Sequence, residues 1–315
     1  MRCLVTGAAG FIGSTLSARL LSEGHDVVGI DIFSDYYDIS IKRRNIAESL
    51  QHERFKLIEG DLNRADLSPL VRDVDVIFHQ AGQPGVRKSW GVDFGTYIDA
   101  NIRATQRLLE AAKDSERLSR FVYASSSSVY GNAERYPTTE EDVPRPVSPY
   151  GVSKLAAEHL CSLYAQNFGI PTVSLRYFTV YGPRQRTDMA FTRFIRAAIR
   201  RDSLHVYGDG TQLRDFTYID DVVTANTLAA AADIPPGGVY NVAGGSTTSI
   251  REVLEIVREL AGDLEVEFEP SVAGDVFRTG GSTDRIRRDL GWSATVTLRE
   301  GITKQFEWGE AQFAV

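Results

Sequence analysis

Cysteine is scarce in this sequence, which has only Cys3 and Cys161 among its 315 residues. Two cysteines cannot form a disulfide framework, and here one falls in a predicted strand and the other in a predicted helix. We therefore expect both to be packed thiols in a reducing compartment, which makes the cytoplasm the expected location.

Long apolar runs and an excess of basic residues are also missing. No run is long enough to span a bilayer, and residues 1–6 lack the charged and then apolar layout of a signal peptide. The formal net charge of −7 argues against a general nucleic-acid binder but allows a local basic pocket for an anionic ligand. The five histidines lack the spacing of metal ligands. The sequence therefore predicts no membrane, nucleic-acid or metal partner.

Short apolar runs alternate with longer amphipathic segments in the first half of the chain. Helices are predicted at residues 12–22 and 96–113, where apolar residues recur every three or four positions. Strands are predicted at residues 2–6, 26–30, 55–59, 74–78, 121–124 and 172–176. Because parallel strands need crossover connections, this alternation predicts an α/β fold with a doubly wound parallel sheet and helices on both faces.

The pattern becomes looser after about residue 182. Short strands are predicted at residues 204–206, 239–242 and 265–268, and helices at residues 250–260 and 297–308. We interpret this part as a smaller α/β lobe that is partly interleaved with the first. The expected division is therefore into residues 1–180 and residues 181–315.

A glycine-rich turn joins the first predicted strand to the first predicted helix. Gly7, Gly10 and Gly13 allow a tight turn, a close approach of the backbone to a pyrophosphate and close packing of the helix on the sheet. The second strand ends at Asp31, whose carboxylate can accept hydrogen bonds from ribose hydroxyls and repel a 2′-phosphate. An aspartate that only caps a turn is the less favoured alternative, because the glycine motif precedes it. The pattern predicts NAD rather than NADP, with Asp61 placed to reach the adenine.

The residue types for proton transfer follow the fifth predicted strand. That strand ends in a serine run that contains Ser126, and Tyr150 and Lys154 stand four residues apart at the start of a predicted helix. Residues with this spacing share one helix face, and a nearby ammonium lowers the pKa of a phenol by favouring the phenolate. Because Tyr-x-x-x-Lys also occurs by chance and a serine run can be a solvated turn, the assignment depends on the glycine motif upstream.

The glycine motif, the serine run, the Tyr-x-x-x-Lys pair and the order of the elements together resemble the extended short-chain dehydrogenase/reductase family over essentially the whole chain. The resemblance implies a Rossmann-type NAD-binding domain in residues 1–180, a nucleotide-sugar lobe in residues 181–315, and a catalytic trio of Ser126, Tyr150 and Lys154. The residues that it implies contact NAD are Gly7, Gly10, Phe11, Ile12, Gly13, Asp31, Asp61, Leu62, Gln80, Ala81, Asn101, Tyr150, Lys154 and Tyr177.

Within that family the chain is most similar to UDP-glucuronate 4-epimerases, in residues 83–90, 176–186 and 188–191. Sugar 4,6-dehydratases have an Asp-Glu pair where this chain has Ser127 and Ser128, so dehydration lacks its acid. The resemblance implies NAD-dependent 4-epimerisation of UDP-glucuronate to UDP-galacturonate. The alternatives are a UDP-glucose 4-epimerase, a UDP-glucuronate decarboxylase and, in another class, a non-catalytic NAD-sensing protein. The first two usually have asparagine in place of Thr179, and the third usually loses the tyrosine or the lysine.

The resemblance also implies a binding site for the nucleotide sugar. Arg214 and Arg87 are expected at the diphosphate, because a planar guanidinium donates bidentate hydrogen bonds to phosphate. Thr179 and Arg186 are expected to hold the sugar carboxylate, so that the 4-keto intermediate does not lose CO₂. The full expected set is Pro84, Gly85, Arg87, Ser126, Ser127, Ser128, Tyr150, Thr179, Arg186, Val206, Tyr207, Arg214, Asp275 and Arg278.

A homodimer is expected as well. The helices predicted around residues 96–113 and 149–168 carry apolar residues on more of their circumference than one sheet face needs. Members of the family that the chain resembles pair through a four-helix bundle built from such helices.

Overall fold

The computed structural model describes residues 1–262, 264–270 and 276–313. In this part of the chain the strands are β1 (Arg2–Thr6), β2 (Asp26–Asp31), β3 (Phe55–Glu59), β4 (Val76–His79), β5 (Arg120–Ser126), β6 (Thr172–Tyr177), β7 (Thr179–Tyr181), β8 (Leu204–Tyr207), β9 (Leu213–Tyr218), β10 (Gly238–Val242), β11 (Thr247–Ser249) and β12 (Val266–Glu269). The α-helices are α1 (Phe11–Ser22), α2 (Ile39–Asn45), α3 (Ser68–Arg72), α4 (Phe94–Tyr97), α5 (Ala104–Ala112), α6 (Pro149–Phe168), α7 (Ala190–Arg200), α8 (Ile219–Ala231), α9 (Ile250–Ala261), α10 (Asp284–Leu290) and α11 (Leu298–Phe313).

The main sheet has seven strands in the order β10-β6-β5-β4-β1-β2-β3, and all neighbouring pairs are parallel. The strand β1 pairs with β2 on one side and with β4 on the other. The direction of winding therefore reverses at β1, and a crevice opens there at the carboxyl ends of the strands. The predicted α/β class with a doubly wound parallel sheet is confirmed.

Helices cover both faces of this sheet. Along β1, Cys3 and Val5 point into the core formed with α1 and α8, whereas Leu4 points into the core formed with α5 and α6. Alternation of this kind follows from the two-residue period of a strand. The inner strands are buried on both faces and are therefore mostly apolar, which is why they were recognisable in the sequence. The edge strand β3 is only partly buried and contains Lys56 and Glu59.

The helix predicted at residues 96–113 is present but irregular. It consists of α4, a π-helical segment at Ile98–Arg103 and then α5. Periodicity predicts a continuous helix here, because one wide turn changes the spacing of apolar residues only locally. Segments of this kind are common at functional sites, and this one contains Asn101.

The chain after residue 180 contributes to the main sheet as well as to separate smaller sheets. The strand β10 pairs with β6 at one edge of the main sheet. A three-stranded sheet has the order β11-β9-β7, and a two-stranded sheet pairs β12 with β8. The division into domains of residues 1–180 and 181–315 stays a proposal.

Both cysteines are buried and neither forms a disulfide, as expected of packed thiols. Among the described residues, no helix combines the length and the apolar character needed to cross a membrane. The same part of the chain contains no group of three or more His, Cys, Asp or Glu side chains that could hold a metal ion.

Candidate active site

The backbone of the turn between β1 and α1 packs so closely against neighbouring backbone that two of its positions require glycine. Gly7 has a φ of 66°, and a Cβ there would lie 2.9 Å from the backbone N of Ala81. A Cβ on Gly13 would lie 2.1 Å from the carbonyl O of Gly7. The helix α1 begins after Gly10, which has no side chain that could cap it. The first amides of α1 are therefore left to an external acceptor, which suits an anionic group.

A cavity of about 400 Å³ opens beside this turn, at the carboxyl ends of the central strands. All the predicted NAD-contacting residues except Asn101 line it. From the predicted sugar-binding set, it is lined by Pro84, Tyr150 and Arg186. The structure therefore brings the glycine turn, the Tyr-x-x-x-Lys pair and the predicted carboxylate-binding arginine to one cavity.

Asp31 is buried at the end of β2 and is held by the backbone. Its Oδ2 accepts a hydrogen bond from Ala9 N at 3.0 Å, and its Oδ1 accepts one from Phe33 N at 2.7 Å. The buried Lys42 lies with Nζ 3.7 Å from Asp31 Oδ1 and donates to Ser34 Oγ at 3.0 Å. Burial lowers the pKa of Lys42. Sequence reasoning missed Lys42, because it lies in the short helix α2, which has no clear periodicity of apolar residues.

Asn101 lies behind the cavity wall, where the π-helical segment directs it inward. Its Oδ1 accepts a hydrogen bond from Gln83 N at 2.7 Å, and its Nδ2 donates to Ser153 Oγ at 2.8 Å. It thus connects the segment after β4 with α6 rather than lining the cavity itself. Its predicted contact with NAD stays a prediction.

The helix α6 carries Tyr150 and Lys154 to the end of β5. Ser148 caps α6 by accepting a hydrogen bond from Gly151 N at 3.1 Å, and Pro149 is its first residue. Lys154 Nζ donates to the carbonyl O of Ala124 at 2.9 Å. The hydroxyl of Ser126 lies close enough to that of Tyr150 to lower the pKa of Tyr150. The three residues predicted to form the catalytic trio are therefore adjacent in space.

The electrostatics of Tyr150 differ from the sequence-based expectation. Burial raises its pKa, and the hydroxyl of Ser126 and the positive charge of Arg186 oppose that rise. Lys154 was expected to be the cation that lowers this pKa. Instead, burial lowers the pKa of Lys154 itself to about 8, and its ammonium is directed to the backbone of β5. The positive charge of Arg186 lowers the pKa of Tyr150 only in part, since burial still raises it.

Arg186 is itself held by an acid that the sequence analysis did not single out. Its Nε and Nη2 donate to the two carboxylate oxygens of Asp188, each at 2.9 Å. Thr179 is half-buried at the start of β7, and Ser127 and Ser128 form a short turn directly after β5. These three residues do not line the described cavity.

The remaining predicted sugar-binding residues form a second group around β8 and β9. The Arg87 guanidinium lies 4.4 Å from the ring centre of Tyr207. Arg214 Nη1 donates to the carbonyl O of Leu213 at 2.9 Å. The Arg278 guanidinium lies 4.7 Å from the ring centre of Tyr136, and its buried Nε has no hydrogen-bond partner.

Two of the three remaining predicted sugar-binding residues lie in the described part of the chain. Val206 is buried in the apolar core, so its side chain packs inside the protein. Gly85 has a φ of 102° in the segment after β4. Asp275 lies outside the described residues.

Comparison with known proteins identifies the family of this chain. Residues 3–243 match the NAD dependent epimerase/dehydratase family. The chain is 42% identical over 310 residues to YtcB, an uncharacterised UDP-glucose epimerase of Bacillus subtilis (strain 168), with 98% of each chain covered. It is 35% identical to the UDP-glucuronate 4-epimerase of Thermodesulfobacterium geofontis, covering 98% of this chain and 95% of that one.

A solved structure is similar along the whole chain. The UDP-glucuronic acid 4-epimerase of Bacillus cereus, in complex with UDP-glucuronic acid and NAD, superposes with a TM-score of 0.96 at 43% identity. The match covers 99% of this chain and 100% of that one. The predictions of an NAD cofactor and of an NAD-dependent epimerase are confirmed. The chain belongs to the NAD dependent epimerase/dehydratase family.

Proposed function

We propose that this protein catalyses the 4-epimerisation of UDP-glucuronate to UDP-galacturonate. The observation that carries the proposal is that Arg186 lines the same cavity as Tyr150 and Lys154. A guanidinium beside the base can bind the C6 carboxylate of a uronate while the base acts on the C4 hydroxyl. The relatives named as UDP-glucuronate 4-epimerases support the same substrate.

The residues around the cavity fit NAD. The turn at Gly7 and Gly13 leaves no room for a Cβ, so the backbone can approach a pyrophosphate closely. The amides at the start of α1 have no side-chain cap and are placed to bind its phosphates. We expect Asp31 to accept hydrogen bonds from the hydroxyls of the adenosine ribose. NAD⁺ held there would supply the hydride acceptor for C4 of the sugar and the donor for its return to the opposite face.

In the proposed mechanism the protein moves one proton and holds the sugar. Tyr150, as phenolate, takes the proton of the C4 hydroxyl and returns it after the 4-keto sugar has turned over. Ser126 hydrogen-bonds the same sugar oxygen, while Lys154 binds the nicotinamide ribose. Arg186 and Thr179 hold the carboxylate, because the 4-keto uronate is a β-keto acid and loses CO₂ if that group rotates freely.

Epimerisation of UDP-glucose is the second candidate, and one contact favours it. Because Asp188 neutralises Arg186, the cavity does not present an uncompensated positive charge to a neutral hexose. YtcB, named as an uncharacterised UDP-glucose epimerase, is a relative that matches over 98% of each chain. The two substrates must therefore be compared directly.

The proposal is tested with Arg186→Ala, assayed on UDP-glucuronate and on UDP-glucose with NMR identification of the products. We expect kcat/KM for UDP-glucuronate to fall by about 10-fold or more, since hydrogen bonds to charged groups contribute about 1.5–3 kcal/mol. UDP-glucose should be affected much less. A loosened carboxylate should also give a pentose product and accumulated NADH.

The matched control is Arg193→Ala. Arg193 lies on α7, donates to the carbonyl O of His205 at 3.1 Å and does not line the cavity. This variant should keep both activities. Equal losses on the two substrates in Arg186→Ala, with no pentose product, would remove the reason for choosing glucuronate over glucose.

A further inference from the structure

Arg186 and Asp188 form a compact unit in the loop between β7 and α7. The guanidinium Nε donates to Asp188 Oδ1 and Nη2 donates to Oδ2, both at 2.9 Å. Met189 N donates to the carbonyl O of Arg186 at 3.1 Å, which closes the loop into a turn. The geometry of the pair is therefore determined within four consecutive residues.

The two side chains differ in their exposure. The Arg186 side chain is 16% exposed, whereas that of Asp188 is 39% exposed. Arg186 lines the cavity beside Tyr150, and Asp188 does not. Asp188 therefore holds the guanidinium from outside the cavity.

The contacts with Asp188 leave part of the guanidinium for a ligand. A guanidinium has five N–H groups, and the bidentate contact through Nε and Nη2 uses two of them. The others, on Nη1 and Nη2, form the end of the fork, which can donate two parallel hydrogen bonds to a second carboxylate. The ring of Tyr36, which also lines the cavity, lies 5.8 Å from Arg186 Cζ and limits the directions open to the guanidinium.

We propose that Asp188 is a positioning residue that determines the preference for uronates, by fixing Arg186 so that the end of its fork faces the substrate carboxylate. This inference rests on the proposed function and extends it to a residue outside the cavity. The carboxylate of Asp188 acts only through Arg186, so removing it matters only for substrates that use Arg186. A neutral hexose gains little from that fork and should be nearly indifferent to Asp188.

The test is Asp188→Asn, alone and combined with Arg186→Ala, with both UDP-glucuronate and UDP-glucose as substrates. Asparagine keeps the shape of the side chain but removes its charge and one of its two acceptors. We expect kcat/KM for UDP-glucuronate to fall on the order of 10-fold. A pentose product and NADH should appear, while turnover of UDP-glucose changes less than about twofold. In the Arg186→Ala background, Asp188→Asn should have no additional effect.

Asp75→Asn is the matched control. Asp75 makes a similar bidentate contact, with Arg117 Nε at 2.6 Å and Arg117 Nη2 at 3.4 Å, far along the chain from the loop that holds Arg186. This variant should keep the ratio of the two activities, so a general effect of losing an aspartate can be recognised.

The inference is overturned if Asp188→Asn affects the two substrates equally, or if its effect persists in the Arg186→Ala background. Either result would show that Asp188 does not act through Arg186. A rise in affinity for UDP-glucuronate, measured by calorimetry, would mean that Asp188 competes with the substrate. If the wild-type protein converts UDP-glucose but not UDP-glucuronate, the proposed function itself fails, and this inference fails with it.

Discussion

Glu158 and Arg176 form a buried bidentate ion pair directly behind the end of β5. Arg176 Nη2 lies 2.6 Å from Glu158 Oε1, and Arg176 Nε lies 3.0 Å from Oε2. Ser125 Oγ donates to the same Oε2 at 2.6 Å. Glu158 follows Lys154 by four residues on α6, and Ser125 precedes Ser126. The pair therefore ties the helix that carries the predicted base to the strand that ends at the predicted serine.

Glu158→Gln should destabilise the protein strongly. It leaves the Arg176 charge buried with its main partner lost, which typically costs about 3–5 kcal/mol in the free energy of unfolding. Urea unfolding followed by circular dichroism measures this. Glu300→Gln is the control, because Glu300 pairs with Lys304 at the surface, and it should change the midpoint little. Similar midpoints for the two variants would contradict the importance of the buried pair.

Tyr150→Phe should abolish turnover while leaving the nucleotide sugar bound. The change removes only the hydroxyl that acts as base, and losing a general base typically lowers kcat by about 10²–10⁴-fold. NMR of the products and calorimetry with UDP-glucuronate measure the two effects. Tyr164→Phe, on the same helix with its hydroxyl bound to Glu110, should remain active. Binding lost together with turnover would make Tyr150 a structural residue.

The main sheet could be predicted because its inner strands are buried on both faces and are mostly apolar. The smaller sheets could not. The strand β11 consists of Thr247, Thr248 and Ser249, and it is a strand only because it pairs with residues 213–215, more than thirty positions away. Nothing in its local pattern distinguishes it from a loop.

The residues of the candidate site also divide into those that local sequence predicts and those that it does not. Gly7, Tyr150 and Lys154 could be predicted because their spacing along the chain is set by the turn and the helix that carry them. Lys42 and Asp188 could not, because each acquires its place through contact with another side chain. Helical spacing also does not tell where the Lys154 ammonium points, which in the structure is to the carbonyl O of Ala124.

Asp31→Asn should weaken the discrimination between NAD and NADP. The variant loses the charge that repels a 2′-phosphate, whereas the nearby Lys42 ammonium remains. The wild-type protein should turn over without added NAD, because the reaction regenerates it, and NADP should not replace it. Activity after removal and exchange of the cofactor measures this. Asp26→Asn, at the exposed start of β2, should behave as wild type, and unchanged discrimination in Asp31→Asn would contradict the assigned role.

We propose a homodimer that forms through α6. Val152 and Leu163 are 46% and 51% exposed, and their separation of eleven residues places them on one face of the helix. Leu163→Glu should therefore give a monomer in light scattering at micromolar concentration, where the wild-type protein gives a dimer. Val143→Glu, at a position that is 71% exposed outside the helices, is the control and should stay dimeric. A monomer mass for the wild-type protein would contradict the proposed dimer.

Asp215 should make stability fall as the pH rises. Burial raises its pKa from 3.8 to about 7, although hydrogen bonds from the amides of Gly244 and Gly281 oppose the rise. Between these values the folded protein holds a proton that the unfolded chain has released. Unfolding therefore becomes easier as the pH increases through this range, by about 4 kcal/mol at most over the whole window. Below pH 4 both states are protonated and the effect vanishes.

The variant Asp215→Asn isolates this contribution, because asparagine does not titrate. The free energy of unfolding of the variant, relative to that of the wild-type protein, should rise by a few kcal/mol between pH 5 and pH 8. This rise is expected even if the variant is the less stable protein at pH 5, where its amide nitrogen cannot accept the hydrogen bond from Gly281 N. Urea unfolding at each pH measures the difference. Asp142→Asn is the control, since the backbone amide of Thr139 lowers the pKa of Asp142 and its titration lies below this window. A constant difference between Asp215→Asn and the wild type across the window would show that Asp215 is ionised throughout.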